Sequence, residues 1–215
     1  MDCNFVPKKL KMGIQTTIKN AINEFSLIPE FRKKELKLLS KYIQEKKEIT
    51  NLIFICTHNS RRSHLAQIWA QVAAYYYGFF NVNCYSGGTE TTFFYPSAIK
   101  ALKQQGLLIN KISEKPNPIY TVKYNDYTHP IICYSKKYSD FFNPQANFGA
   151  IMTCDNANQK CPFIPNSKIR IPIQYEDPKI YDGNPNELEK YLEKSNQICR
   201  EMFFAFSGFQ MNTHE

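Results

Sequence analysis

The sequence predicts an α/β protein with a parallel sheet, preceded by a pair of amphipathic helices. Short apolar runs that suit buried strands alternate with segments in which apolar residues recur at helical spacing. The chain has 215 residues, of which 43% are hydrophobic and 21% are charged. This length and composition indicate one globular domain with an extension, and they exclude a disordered chain, a repeat array and a disulfide-stapled miniprotein.

Residues 1–48 are predicted to form a helical extension that packs on the rest of the chain without forming the active site. Ile14, Ile18 and Ile22 share one helical face, and a second helical pattern follows Pro29. The first 50 residues contain 11 basic and six acidic side chains, so most of the net charge of +8 lies there. Such a run is usually a solvated helix face, and nucleic acid is not favoured as a partner because no base-stacking aromatic motif accompanies it.

No secretory signal or membrane span is predicted from the sequence. The longest apolar runs have five residues, far fewer than a transmembrane helix needs. We therefore expect a cytoplasmic protein with no membrane partner. Seven cysteines in a reducing compartment are more often buried, catalytic or redox-active than paired in structural disulfides.

Residues 49–208 are predicted to form the α/β domain, and residues 209–215 a tail. Residues 51–55 are an apolar run typical of a buried parallel strand. A helix follows, with an apolar stripe from Leu65 to Tyr76. The next predicted elements are strands over 81–86, 130–134 and 148–153, a helix over 97–105, and a long loop or irregular hairpin over 111–130.

The last helix has the clearest predicted start. Asn184 suits the N-cap, Pro185 suits the first helical position, and Glu187 completes a capping box. Apolar residues then follow at helical intervals as far as Phe206. This helix completes the alternation of strands and helices.

The polar segment from Cys56 to Ser63 predicts an oxyanion site with a reactive thiolate. It joins a strand to a helix, where loop and first-turn N–H groups face an anion. Arg62 supplies a planar fork for two oxygens of a tetrahedral oxyanion, and the same positive field favours the thiolate of Cys56. The expected oxyanion-binding residues are Thr57, His58, Asn59, Ser60, Arg61, Arg62 and Ser63.

Within this segment we expect Ser63 to hydrogen-bond to the sulfur and Asn59 to lock the loop through its backbone. The alternative is that Cys56 is only a small apolar residue at the end of a buried strand, as single buried cysteines often are. A cysteine, five residues and Arg-Ser between a strand and a helix is a more specific pattern, and it favours the catalytic interpretation.

Residues 56–66, Cys-Thr-His-Asn-Ser-Arg-Arg-Ser-His-Leu-Ala, resemble the phosphate loop of low-molecular-weight protein tyrosine phosphatases and of thioredoxin-coupled arsenate reductases built on the same fold. Ser86-Gly-Gly-Thr-Glu90 resembles the turn after the second strand in these proteins. The resemblance covers roughly residues 50–206. It implies a flavodoxin-like, four-stranded parallel sheet flanked by helices.

Tyr175-Glu-Asp177-Pro178 is similar to the loop that supplies an Asp-Pro general acid in these families. The resemblance implies that Asp177 lies over the phosphate loop, where a carboxylic acid can protonate a leaving oxygen. The alternative is an ordinary turn, because Asp-Pro is a common turn dipeptide.

Residues 152–162, Met-Thr-Cys-Asp-Asn-Ala-Asn-Gln-Lys-Cys-Pro, resemble the redox segment of thioredoxin-coupled arsenate reductases. In a helix, Cys154 and Cys161 would have Cα atoms about 10.5 Å apart along the axis, whereas a disulfide requires about 4.4–6.8 Å. Forming that disulfide therefore requires the segment to unwind. Two ordinary buried thiols or a zinc site are the alternatives, and no metal is predicted because no second ligand pair is evident.

Three positions depart from the patterns of these families. Gln67 stands where several arsenate reductases have a glutamate that helps to hold potassium, so no ion site is predicted. Arg61 replaces a small residue or cysteine within the loop. Lys179 and Ile180 follow Pro178 in place of the aromatic pair found in many tyrosine phosphatases, which weakens the phosphotyrosine hypothesis.

The function predicted first is arsenate reduction by a thiol cascade. Cys56 attacks arsenate held by Arg62, Asp177 protonates the departing oxygen, and Cys154 and Cys161 pass the disulfide to thioredoxin or another thiol donor, with no bound cofactor. The alternative is a protein tyrosine phosphatase that forms a phosphocysteine on a phosphotyrosine protein substrate. A third hypothesis is a noncatalytic oxyanion or redox sensor whose basic extension binds a partner.

Overall fold

A four-stranded parallel sheet forms the centre of the molecule. The computed structural model describes residues 10–46, 48–160 and 163–208. Their helices and strands, in chain order, are α1 (Met12–Asn23), α2 (Glu30–Gln44), β1 (Thr50–Cys56), α3 (Arg62–Tyr76), β2 (Val82–Gly88), α4 (Pro96–Gln104), β3 (Leu108–Lys111), β4 (Tyr120–Lys123), β5 (Ile131–Cys133), β6 (Phe148–Met152), α5 (Asp155–Lys160), β7 (Ser167–Pro172) and α6 (Glu187–Ser207).

The main sheet has the strand order β2-β1-β6-β7, and each neighbouring pair is parallel. The chain passes from β1 to β2 on one side and later returns to β6 on the other side, so the strand order reverses between β1 and β6. In open α/β sheets, ligands bind beyond the carboxyl ends of the strands at such a switch point. This topology confirms the predicted fold class and places the end of β1, at Cys56, beside the end of β6.

Strand β1 is buried on both faces, as its continuous apolar sequence predicts. Leu52 and Phe54 belong to the larger apolar core, whereas Ile53 and Ile55 belong to a smaller core on the opposite face. The alternation follows from the two-residue period of a strand. Helices therefore cover the sheet on both sides, and the polar loop after Cys56 has a rigid base.

The strand predicted over residues 130–134 is present as β5, but it does not belong to the parallel sheet. Strand β5 belongs to a separate antiparallel sheet with the order β3-β4-β5. Strands β3 and β4 pair as a hairpin whose first strand ends at Lys111, so the segment 111–130, predicted as a loop or irregular hairpin, contains the connection and the second strand. The fourth strand of the main sheet is β7, which no sequence pattern indicated. Its sequence, Ser-Lys-Ile-Arg-Ile-Pro, lies at the edge of the sheet and alternates polar with apolar residues, so it lacks the continuous apolar run of a central strand.

The predicted start of the last helix was also wrong, by two residues. Helix α6 begins at Glu187 with Asn186 as its N-cap, and Asn184 instead accepts a hydrogen bond from the Glu187 N–H through its main-chain carbonyl. The Glu187 carboxylate does not close a capping box. It accepts hydrogen bonds from the Gly183 N–H, at 2.7 Å, and from the Ser97 hydroxyl.

The N-terminal helices are present and pack on the α/β domain. Both α1 and α2 contact α6, and Ile14, Ile18 and Leu36 belong to the same apolar core as Trp69. The described part of the extension thus buries the stripe that its helical periodicity predicts. Residues 1–9 and 47, and the predicted tail at 209–215, lie outside the described residues. No helix in the described ranges has the length and apolarity needed to cross a membrane.

A buried ion pair also joins the extension to α6. Arg32 donates from Nε to Glu201 Oε2 at 2.9 Å, and its guanidinium carbon lies 4.8 Å from the centre of the Tyr175 ring. The two charged side chains are 9% and 3% exposed. Removing one partner from such a pair leaves an uncompensated buried charge, whereas apolar replacement of both partners is far less costly.

We therefore expect Arg32→Met to lower the free energy of unfolding by about 3–5 kcal/mol, and the double variant Arg32→Met/Glu201→Leu to recover most of that loss. Urea denaturation monitored by circular dichroism measures both. Lys41→Met is the control, because its pair with Glu45 is exposed and is worth less than about 1 kcal/mol. A double variant as unstable as the sum of its single variants would contradict the prediction.

Candidate active site

The loop from Cys56 to Arg61 connects the end of β1 to the first turn of α3. Its tight path depends on two local features. Asn59 has a φ of 45°, in the left-handed region that asparagine tolerates better than most residues. A Cβ at Gly88, the last residue of β2, would lie 2.6 Å from the Thr57 carbonyl oxygen and 2.8 Å from the Asn59 nitrogen, so only glycine fits.

Neighbouring segments bind the carbonyl groups of the loop from outside. The carbonyls of Cys56 and Thr57 accept from the N–H groups of Thr89 and Glu90, at 3.1 and 2.8 Å. The Ser135 hydroxyl donates to the His58 carbonyl at 2.8 Å, and the Tyr95 N–H donates to the Ser60 carbonyl at 3.0 Å. In a trans peptide the N–H of the next residue points the opposite way. The N–H groups of Thr57, His58, Asn59 and Arg61 are therefore directed toward the inside of the loop.

The thiol of Cys56 lies at the base of this loop and is 3% exposed. Ser63 Oγ is 3.1 Å from its sulfur, the contact suggested by the sequence. Asn59 donates from Nδ2 to Ser63 Oγ at 2.8 Å and accepts the Lys136 N–H on Oδ1 at 2.9 Å. Asn59 thus holds the loop through Ser63 and a distant segment, and not through the loop backbone as expected.

Arg62 joins the loop to the segment that contains Asp177. Its Nη1 donates to the Tyr175 carbonyl at 3.0 Å, and its Nη2 donates to Asp177 Oδ2 at 2.5 Å. Its Nε is buried and has no hydrogen-bond partner among the described residues. A buried guanidinium N–H without a partner is costly unless a ligand satisfies it, so this group marks a position for an anion.

The remaining loop side chains face different neighbours. Thr57 Oγ1 lies 3.5 Å from Cys154 Sγ, and Ser60 Oγ donates to the Phe93 carbonyl at 2.7 Å. His58 is at the rim, where its Nε2 is 3.3 Å from Glu90 Oε2. These contacts anchor the loop on three sides.

The guanidinium of Arg61 is directed away from the thiol. Its Nε donates to the Tyr191 hydroxyl and its Nη2 to Asp182 Oδ2, each at 2.5 Å, and its guanidinium carbon lies 3.9 Å from the centre of the Tyr95 ring. The group of Arg61 that can bind an oxyanion in the loop is therefore its main-chain N–H, because its guanidinium is already bound.

Cys154 lies beside the loop, two residues beyond the end of β6. It is 1% exposed, and its sulfur accepts a hydrogen bond from the Ala157 N–H at 3.3 Å. Thr153 donates its N–H to the Ile55 carbonyl at 2.7 Å, so the residues that precede the two cysteines are directly bonded. Cys161, the second cysteine of the predicted redox segment, lies outside the described residues.

The side chain of Gln67 is buried in helix α3, and its Oε1 has no hydrogen-bond partner among the described residues. Its Nε2 donates to the Cys84 carbonyl at 3.0 Å on strand β2. Within the described ranges, no group of three or more His, Cys, Asp or Glu side chains is arranged to hold a metal ion.

Sequence analysis missed the partners that hold the site in place. Tyr175 acts through its carbonyl, which no side-chain pattern reveals. Tyr191 was assigned only to the apolar stripe of the last helix, although its hydroxyl donates to Asp182 Oδ1 at 2.6 Å. One indication was available for Asp182. The loop contains two arginines, and a second aspartate follows Asp177 by five residues, so the sequence offers one carboxylate for each guanidinium.

Residues 51–208 match the sequence profile of the family described as low molecular weight phosphotyrosine protein phosphatase. The chain belongs to this family. It is 27% identical over 159 residues to an arsenate reductase of Bacillus licheniformis, covering 73% of this chain and 94% of the reductase. It is 29% identical over 144 residues to an arsenate reductase of Bacillus subtilis, covering 66% and 84%.

Among solved structures, the chain is similar to a low molecular weight phosphotyrosine phosphatase of Vibrio cholerae, with a TM-score of 0.47 and 15% identity over 77% of this chain and 99% of the other. Family membership and the named relatives identify this phosphatase-family protein as an enzyme, either an arsenate reductase or a phosphatase.

Lys136 supports the loop from beneath and is itself 2% exposed. Its main-chain N–H donates to Asn59 Oδ1, and its carbonyl accepts from the Gly88 N–H at 2.8 Å. Its ammonium lies 4.5 Å from the centre of the Tyr134 ring. Burial lowers the pKa of Lys136 from 10.5 to about 8, against the smaller opposing effects of Cys133 and Asp140.

This shift predicts a pH-dependent gain in stability for Lys136→Met. In the unfolded chain Lys136 is protonated up to its ordinary pKa. Below pH 8 it is protonated in the native state as well, where burying the charge costs about 3 kcal/mol of folding free energy. Methionine carries no charge and removes this cost. Between pH 8 and 10.5 the unfolded state binds more protons, and the gain disappears as the pH rises. Urea denaturation at pH 7 and pH 10 measures it, with the exposed neighbour substitution Lys137→Met as the control. An equal gain at both pH values would contradict the assignment.

Proposed function

We propose that this protein is an arsenate reductase that transfers two electrons from its cysteines to arsenate. The observation that carries this proposal is the position of Cys154, whose sulfur contacts Thr57, the residue next to Cys56, at 3.5 Å. Cys56 is the last residue of β1 and Cys154 lies two residues beyond the end of the adjacent parallel strand β6, and both belong to the same small apolar core. In a phosphatase a second thiol there would serve only to protect Cys56 from overoxidation, whereas turnover of a thiol cascade requires one.

In the first step, the Cys56 thiolate attacks arsenic in a bound arsenate. The inward N–H groups of the loop and the unpartnered Nε of Arg62 bind the oxyanion, and Ser63 donates a hydrogen bond to the sulfur. Asp177 protonates the oxygen that leaves arsenic as water. Cys56 is then bound covalently to arsenic(V).

In the second step, the Cys154 thiolate attacks the Cys56 sulfur. A disulfide forms, the sulfur–arsenic bond breaks, and its electron pair stays on arsenic, which leaves as arsenite. Cys161 then attacks Cys154, which releases Cys56 as a thiolate and forms the Cys154–Cys161 disulfide. Thioredoxin or another dithiol donor reduces this disulfide, and no bound cofactor takes part.

The final exchange requires helix α5 to open, as the sequence geometry predicts. Residues Asp155–Lys160 are helical, and the Asn158 N–H donates to the Cys154 carbonyl at 3.0 Å. A spacing of seven residues in a helix corresponds to about 10.5 Å along the axis, whereas a disulfide requires Cα atoms about 4.4–6.8 Å apart. Oxidation is therefore coupled to a local rearrangement, which would present the disulfide to the reductant in the cytoplasm.

The second candidate function is hydrolysis of phosphotyrosine, and the position of Asp177 favours it. Its carboxylate is held at Arg62, at the mouth of the loop, where it can protonate a phenolic leaving oxygen and then activate water against a phosphocysteine on Cys56. This chemistry needs no thiol besides Cys56. The two functions therefore separate at Cys154.

We expect Cys154→Ser to stop arsenate reduction after the first covalent step, with neither disulfide formed. Cys161→Ser should allow one turnover and trap the Cys56–Cys154 disulfide. Coupled thioredoxin oxidation measures turnover, and peptide mapping by mass spectrometry identifies each disulfide. Cys133→Ser is the matched control, because that cysteine is equally buried but outside the cascade.

Three outcomes of the cysteine experiment decide between the functions. Arsenate reduction at the parent rate in both single variants would overturn the cascade and leave phosphatase chemistry as the better assignment. A parent enzyme that hydrolyses aryl phosphates but does not reduce arsenate would lead to the same conclusion. Full activity of Cys56→Ser toward both substrates would overturn both functions.

We expect Asp177→Asn to lower kcat/KM for aryl phosphate hydrolysis by about 10²–10⁴-fold, the usual contribution of a positioned general acid. Phosphate binding, measured as protection of Cys56 from iodoacetamide, should change little because the loop N–H groups and Arg62 remain. Asp155→Asn is the control for loss of an acidic side chain near the site. An unaltered rate in Asp177→Asn would mean that another group protonates the leaving oxygen.

A further inference from the structure

Two arginines of the loop contact two aspartates that flank one short turn. Arg62 contacts Asp177, and Arg61 contacts Asp182, with a single 3₁₀ turn at Pro178–Tyr181 between the aspartates. The proposed chemistry uses Arg62 and Asp177 and leaves the other pair without a role. Arg61 is 9% exposed, so burying its charge requires a structural or functional reason.

The surroundings of Arg61 form a closed set of contacts. Tyr191 accepts from Arg61 and donates to the same Asp182 carboxylate, and the Tyr95 ring lies over the guanidinium and stacks on the Tyr191 ring at 5.5 Å. Burial disfavours the charge on Arg61, but Tyr191 and Asp182 outweigh it and raise the pKa of the guanidinium. Arg61 therefore stays charged and fixed against Asp182.

We propose that Arg61 is a positioning residue, which fixes the Asp182 end of the 177–182 turn to the oxyanion loop and so holds Asp177 over Cys56. This inference rests on the proposed role of Asp177 as the proton donor.

The geometry of the turn explains how a contact at Asp182 reaches Asp177. Asp177 Oδ1 accepts the Lys179 N–H at 3.1 Å, and the Asp182 N–H donates to the Lys179 carbonyl at 3.0 Å. Lys179 thus bonds to both aspartates through its main chain, so displacement of one end moves the other. A shift of about 1 Å in a catalytic group is enough to cost on the order of 10²-fold in rate.

The first test measures how the rate depends on the leaving group. In Arg61→Met, kcat/KM for phenyl phosphate should fall by about 10–10²-fold, because a poor leaving group needs the acid. For 2,4-dinitrophenyl phosphate, which leaves without protonation, it should fall less than about threefold. Asp182→Asn should show the same dependence if Arg61→Met folds poorly. Equal losses for both substrates would overturn the proposal.

A double-variant comparison tests whether Arg61 acts through Asp177. Arg61→Met should have almost no further effect on phenyl phosphate hydrolysis in an Asp177→Asn background, since the acid is already lost. Phosphate protection of Cys56 from iodoacetamide should be retained in Arg61→Met and lost in Arg62→Met. If Arg61→Met loses phosphate protection, its guanidinium is an oxyanion ligand and the proposal is wrong.

Hydrogen exchange provides a readout that does not depend on activity. Amides of residues 179–184 should exchange at least about tenfold faster in Arg61→Met than in the parent protein, and amides of 56–60 should not change. Arg200→Met is the control, because it removes a partly buried arginine from its pair with Glu24 outside this cluster. Unchanged exchange over 179–184 would overturn the proposal for Arg61, whether or not the parent enzyme hydrolyses aryl phosphates. Absence of aryl phosphate hydrolysis in the parent enzyme would count only against the phosphatase function.

Discussion

The site depends on hydrogen bonds that bind the carbonyl groups of the loop from outside. Thr89, Glu90, Tyr95 and Ser135 supply these donors, and all four belong to segments that follow β2 or β5. Because a peptide carbonyl and the next N–H point in opposite directions, each outer bond directs an N–H inward. The inward direction of these N–H groups thus depends on the packing of distant segments, and glycine at position 88 lets the loop approach β2 closely.

The loop and the 177–182 turn contact each other through Arg61 and Arg62, and each also has its own support elsewhere in the protein. Asn59 and Lys136 fix the thiol side through the small sheet, whereas Tyr191 of α6 fixes the turn through Asp182. The N-terminal helices pack on α6 and place Arg32 over the ring of Tyr175, whose carbonyl bonds Arg62. The described part of the extension therefore packs against the segment that bonds Arg62.

Much of the fold was predictable from the sequence because strong local patterns agreed with tertiary burial. β1 and the N-terminal helices have continuous or periodic apolar residues, and these are buried as predicted. Helix α3 was predicted to have a single apolar stripe but is buried on nearly all sides. β7 escaped prediction because an edge strand is buried less than a central one and alternates in polarity. The start of α6 was misjudged because Gly183 and Ser97, a residue distant in sequence, bind the Glu187 carboxylate.

The candidate site was predictable to the extent that its chemistry lies in one short segment. The loop from Cys56 to Ser63 could be identified from residue types and spacing, whereas Tyr175, Asp182 and Lys136 contribute main-chain groups or partners from far along the chain. Spacing alone also gave no orientation for Arg61 and Arg62. The structure separates them: one guanidinium is bound to Asp182 and Tyr191, and the other retains a buried N–H with no partner among the described residues.

The pair between Arg62 and Asp177 places the proposed proton donor in direct contact with the proposed oxyanion ligand. The guanidinium gives Nη1 to the Tyr175 carbonyl and Nη2 to Asp177, whereas its Nε has no partner among the described residues. An oxyanion bound at Nε would therefore lie beside the Asp177 carboxyl group, where the proposed chemistry requires a proton donor. One arginine thus has two parts in that proposal, since it binds the oxyanion and positions the acid.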